Sequence, residues 1–80
     1  MYVIGDIGNT ETKICLFDNK KKLLKKKILT TGNIKNYNIK NDLKFLHIHR
    51  KKIKKIIFCS VVPNVFKNIK ISIKKELGLE

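Results

Sequence analysis

The sequence predicts an α/β fold built on a mixed sheet, in the order β-β-β-α-β-α. Three observations carry this. The first 30 residues hold short apolar segments separated by close turns. Residues 55–62 form a near-continuous apolar run. A stripe of apolar residues at helical spacing then follows Pro63.

Residues 2–7 (Tyr-Val-Ile-Gly-Asp-Ile) read as a short buried strand. Gly8-Asn9-Thr10 is turn chemistry, because glycine and asparagine tolerate the tight backbone that a reversal needs. Residues 12–17 form a second strand with Ile14 and Leu16 on one face, and Asp18-Asn19 starts another turn. Residues 22–30 read as a third strand with much of its length in water. Close turns between successive strands imply an antiparallel meander.

A polar loop is expected around Thr31-Gly32-Asn33. Residues 39–50 then read as a helix with Ile39, Leu43 and Leu46 on one stripe. Asp42 is expected in its first turn, and His47, His49 and Arg50 in its last, as the helix dipole favours. The run 55–62 has the character of a central parallel strand covered on both faces. Pro63 suits the first position of a helix and Gly78 its end. Val65, Phe66, Ile69, Ile73 and Leu77 fall within roughly 120° of one another at helical spacing. Ile69-Lys-Ile-Ser-Ile73 also alternates like a strand, but length, start and stop signals favour helix.

Eighty residues make one small domain at most. Such a chain hides only about 60–65% of its unfolded surface, so a self-sufficient core is marginal. The longest apolar stretch, Ile56 to Val62, is too short to span a membrane. The start lacks a basic segment and reaches Asp6 too early for a signal peptide. The protein is therefore expected to be cytoplasmic. Cys15 and Cys59 have no metal-site spacing and are expected as reduced thiols filling strand positions.

The net charge is +13. Clustered lysines bind phosphate backbones, so a small lysine-rich nucleic-acid-binding module is an alternative reading. Composition offers a plainer cause. The chain has 18 Lys to one Arg, 13 Ile, 8 Asn and no Ala, the signature of A/T-rich codons at tolerant positions. An RNA-recognition aromatic pair, a zinc finger and a GXXG loop are all missing, so nucleic acid is not the expected partner.

Asp6 is the residue that points to chemistry. It is an acid within an otherwise apolar strand, and a buried carboxylate is costly unless paired or bound to a metal. Gly8 lets a ligand approach the backbone, and the N–H groups of a tight turn can form an anion-binding nest. Asn9 and Thr10 add polar side chains, Lys13 starts the second strand within reach, and Asp6 can take Mg²⁺ through oxygen. Asp and Asn also occupy turns simply because they cap them, and both readings stand on the residues alone. Walker A and G-x-G-x-x-G sequences are lacking. His47 and His49 fall on opposite sides of the proposed helix, which excludes a shared metal site. Ser60 has no nearby base. Val61-Val62-Pro63 ends its strand at the edge where ligands gather in open α/β sheets, near the Asp6 loop if the two strands are neighbours.

The opening Tyr2-Val-Ile-Gly-Asp-Ile-Gly-Asn-Thr10 resembles the D-[IV]-G-N-T start of type III pantothenate kinases. Leu16-Phe17-Asp18, Ile28-Leu-Thr-Thr31 and Ile56-Ile-Phe-Cys-Ser-Val-Val-Pro63 are similar, in order, to later segments of that family. The resemblance implies an actin-like ATPase (ribonuclease H-like) domain. It implies ATP-dependent phosphorylation of pantothenate in coenzyme A biosynthesis, with Mg²⁺ and a monovalent cation (K⁺ or NH₄⁺), in a homodimer. It assigns Asp6, Ile7, Gly8, Asn9, Thr10, Glu11, Thr12 and Lys13 to the ATP phosphates, and Asp6 to the metal. The family's G-A-D-R segment, which holds pantothenate and the catalytic base, and its second D-x-G-T loop do not occur in the 80 residues. Residues 1–80 are thus expected to be a partial N-terminal nucleotide-binding half-domain, without the second half-domain and inactive in isolation.

Overall fold

The structure, a computed structural model, describes residues 1–36 and 41–78. Strands β1 (Tyr2–Ile7), β2 (Glu11–Phe17) and β3 (Leu23–Thr30) form the expected antiparallel meander. A 3₁₀ helix spans Thr31–Asn36 where a polar loop was expected. Then come α1 (Lys44–Ile48), β4 (Lys55–Ser60) and α2 (Pro63–Leu77). The sheet order is β3-β2-β1-β4, with β4 parallel to β1. The fold class is the predicted one.

Helices cover one face of this sheet. Val3, Ile7, Ile14 and Leu16 point inward and form one cluster with Leu43, Leu46, Val65 and Ile69. All eight are buried, which places the core between the sheet and both helices. Helix α2 follows its signals closely. Pro63 occupies its first turn, and Gly78 caps it at φ +70°, a left-handed conformation that glycine adopts without a Cβ clash. Its inward stripe is Val65, Ile69, Ile73 and Leu77, with Phe66 half-buried beside them.

Two expectations need correction. Among the described residues, the apolar run 55–62 does not form a central strand covered on both faces. Its strand stops at Ser60 and lies at the end of the sheet, paired among the described residues with β1 alone. With helices on one side only, Ile57 on the other is 48% exposed, as is Ile4 beside it at 46%. The helix expected over 39–50 is the shorter α1. Leu43 and Leu46 are buried as the stripe requires, but Ile39 lies outside the described residues. Asp42 precedes the helix and pairs with Lys27 at 3.4 Å, while His49 caps its end and Arg50 lies beyond it.

Cys15 and Cys59 are free thiols on strands. Among the described residues, no helix is long and apolar enough to cross a membrane.

Gly5 sets how β4 docks. It sits opposite Phe58 in the parallel register, and a Cβ on Gly5 would run into the Phe58 ring. The ring instead fills that space and reaches Phe66 of α2, with centroids 6.2 Å apart. One glycine thus lets a β4 aromatic tie β1 to the helix layer. Gly5→Ala is expected to destabilise the intact protein by about 1–3 kcal/mol, because the ring must move. In a Phe58→Ala background the same change should cost little. Urea unfolding of the four variants of this double-mutant cycle checks it, and additive losses would contradict the packing described.

Candidate phosphate-binding loop

Strand β1 ends at Ile7, and β2 begins at Glu11. Gly8, Asn9 and Thr10 form the loop between them. Its closure is a hydrogen bond from the Gly8 N–H to the Glu11 carbonyl at 2.9 Å. A Cβ on Gly8 would come within 3.1 Å of that same carbonyl oxygen, so the tight closure favours glycine.

Two of the loop's three carbonyls, those of Gly8 and Thr10, are engaged by Thr31. Its backbone N–H donates to Thr10 O at 2.9 Å, and its hydroxyl donates to Gly8 O at 2.8 Å. Thr31 Oγ1 also lies 2.9 Å from Thr12 Oγ1, and both side chains are buried. A hydroxyl has one proton, and that of Thr31 goes to Gly8 O, so Thr12 donates to Thr31. Among the described residues, the N–H groups of Asn9 and Thr10 meet no protein acceptor. The loop therefore has its Gly8 and Thr10 carbonyls occupied and its Asn9 and Thr10 amides open, a polarity suited to an anion.

The expected site residues divide by strand parity. Asp6 and Lys13 are opposite one another across β1 and β2, and both are exposed on the sheet face without helices. Asp6 is thus not the buried carboxylate that its apolar strand suggested. Its outward position keeps it in water, and it has no ion-pair partner among the described residues. Asn9, Thr10 and Glu11 are exposed, and Gly8 is half-buried. Ile7 and Thr12 point the other way, into the core. Their side chains do not share a surface with Asp6. Ile7 contributes through its carbonyl, which accepts from Val61 N–H at 3.1 Å.

That bond carries the β4–α2 turn to the loop, as parallel neighbours require. A cleft of about 280 Å³ opens there, lined by Asn9, Thr31, Gly32, Val62, Asn64, Val65 and Asn68. Ser60 Oγ is occupied locally, accepting from Val62 N–H at 3.0 Å. Sequence reasoning missed Thr31, Asn64 and Asn68. For Thr31 a signal existed, because it shares strand parity with inward-facing Leu29, whose register partner is Thr12.

The outward carboxylate of Asp6, with that of Glu11 at the other end of the loop, beside open amides fits Mg²⁺. That ion keeps several waters and is commonly held by one or two carboxylates together with phosphate oxygens. Among the described residues, no group of three or more acidic, His or Cys side chains forms a cage for a metal.

The strand order, the element succession and the D-x-G-N-T hairpin are those of an actin-like ATPase domain at its opening. The family model for type III pantothenate kinase matches residues 2–80. A curated type III pantothenate kinase from Pelagibacter ubique (strain HTCC1062) is 47% identical over 75 residues, covering 94% of this chain. The chain belongs to the type III pantothenate kinase family. It spans 30% of that relative's length.

Gly8→Ala is expected to push the Glu11 carbonyl away and weaken the loop closure. Amide hydrogen exchange at Gly8 should then accelerate about tenfold or more, the equivalent of one hydrogen bond. Unchanged protection at Gly8 would contradict the geometry.

Proposed function

We propose that these residues form the ATP-phosphate-binding part of a pantothenate kinase, which transfers the γ-phosphoryl group of ATP to pantothenate and yields 4′-phosphopantothenate. The observation that carries this reading is the loop itself. Its Gly8 and Thr10 carbonyls are bound by Thr31, its Asn9 and Thr10 amides are open among the described residues, and the exposed Asp6 carboxylate stands near the end of β1. Family membership supplies the substrates.

Phosphoryl transfer rests on positioning and charge neutralisation, and each residue has a task in that scheme. The Asn9 and Thr10 amides donate to phosphate oxygens. Asp6 would hold Mg²⁺, directly or through a water, and the bound ion would supply positive charge against the phosphates. Lys13 on the same face adds a positive charge that reaches the same oxygens. Ile7 and Thr12 act through the backbone and the core rather than as ligands. The catalytic base and the pantothenate pocket belong to the G-A-D-R segment, outside these 80 residues. The resemblance further supports a cytoplasmic homodimer that uses K⁺ or NH₄⁺.

Asp6→Asn in the intact protein keeps the side chain's size and removes its charge. It is expected to lower kcat by about 10²–10³-fold, the scale of losing one electrostatic contact in the transition state. Steady-state kinetics with ATP and pantothenate measure this. Turnover within a factor of three of wild type would remove Asp6 from the site.

A further inference from the structure

We propose that Thr31 is the positioning residue of the phosphate loop, acting by locking the Gly8–Asn9 peptide in one orientation. The proposal rests on the loop's binding phosphate and adds what sets its geometry. In a trans peptide the carbonyl and the following N–H point in opposite directions. Thr31 Oγ1 donates to Gly8 O at 2.8 Å, so the Asn9 N–H of the same peptide is directed away from Thr31 and from the core. Reversing that peptide would break the bond and present a carbonyl to the phosphates, which repel it.

Thr31 holds the loop at a second point. Its backbone N–H donates to Thr10 O at 2.9 Å, so the two carbonyls on either side of Asn9 are fixed from one residue. The hydroxyl is itself fixed. Thr31 is 3% exposed, and the proton of the Thr12 hydroxyl, on a fully buried residue, is directed at its oxygen from 2.9 Å. With that lone pair occupied, the Thr31 proton is left to Gly8 O. The chain Thr12 → Thr31 → Gly8 thus runs from the core to the loop. Its members lie 19 and 23 residues apart in sequence, so folding of β3 onto β2 creates the binding-competent loop.

The test uses the intact protein with Thr31→Val, which removes the hydroxyl, and Thr31→Ser, which keeps it. Thr31→Val is expected to raise KM for ATP about tenfold, the worth of one hydrogen bond, with KM for pantothenate within twofold. Thr31→Ser should return KM for ATP to within about threefold of wild type. A Thr31→Val enzyme with unchanged KM for ATP would overturn the proposal, as would equal effects on both substrates. So would a serine variant no better than valine.

A second measurement needs no variant. On titration of the wild-type protein with ATP, the Asn9 amide proton resonance should move downfield, as a new hydrogen bond to phosphate requires. An Asn9 signal that stays fixed while Thr10 or Lys13 responds overturns the role of Thr31 and leaves the phosphate loop standing. No response anywhere in residues 6–13, together with full turnover of Asp6→Asn, overturns both readings.

Discussion

Coverage of the sheet on a single face governs the rest of this structure. Successive residues of a strand point to opposite faces, so that one fact sorts the residues of β1 and β2 between core and water. In β1 it places Val3, Gly5 and Ile7 inside and Ile4 and Asp6 outside. In β2 it places Thr12, Ile14 and Leu16 inside and Lys13 outside. A slip of one residue would bury Asp6 and Lys13 and expose the core. The antiparallel register then sets Asp6 against Lys13, and the parallel register brings the end of β4 beside the loop. The loop owes its position to pairing, and its backbone orientation to the two buried threonines.

Much of this was legible in the sequence because local signals and the global fold agree. Alternation in 12–17, the turn residues at 8–10, Pro63 and Gly78 each act over a few residues, and each appears where expected. The misread features depend on what covers what. An apolar run such as 55–62 suits a strand buried on both faces, and only the placement of the helices shows that Ile57 is left 48% exposed. Asp6 was misread for the same reason, since the strand was taken as buried throughout. For Thr31 the inward parity was legible but the partners were not, because they come from residues far away in sequence.

The lysines have a simpler place. Lys25 and Lys26 on β3 and Lys51, Lys52, Lys54 and Lys55 before and at the start of β4 are exposed. Only Lys27 makes an ion pair with a described acidic residue, at a separation of 3.4 Å and on a partly exposed surface. Such pairs contribute little to stability. These residues occupy positions where water accepts a charge at no cost, which agrees with a composition set by codon bias. Lys13 differs from them in facing Asp6 across the strand pair at the end that carries the loop.

Everything proposed for this site turns on the Gly8–Thr10 loop binding the phosphates of ATP. The most direct measurement is an experimental structure of the intact protein with Mg²⁺ and a non-hydrolysable ATP analogue. Phosphate oxygens are expected about 3 Å from the Asn9 and Thr10 amide nitrogens, with Mg²⁺ linked to Asp6 directly or through one water. Phosphates bound elsewhere, with those amides facing solvent, would contradict it.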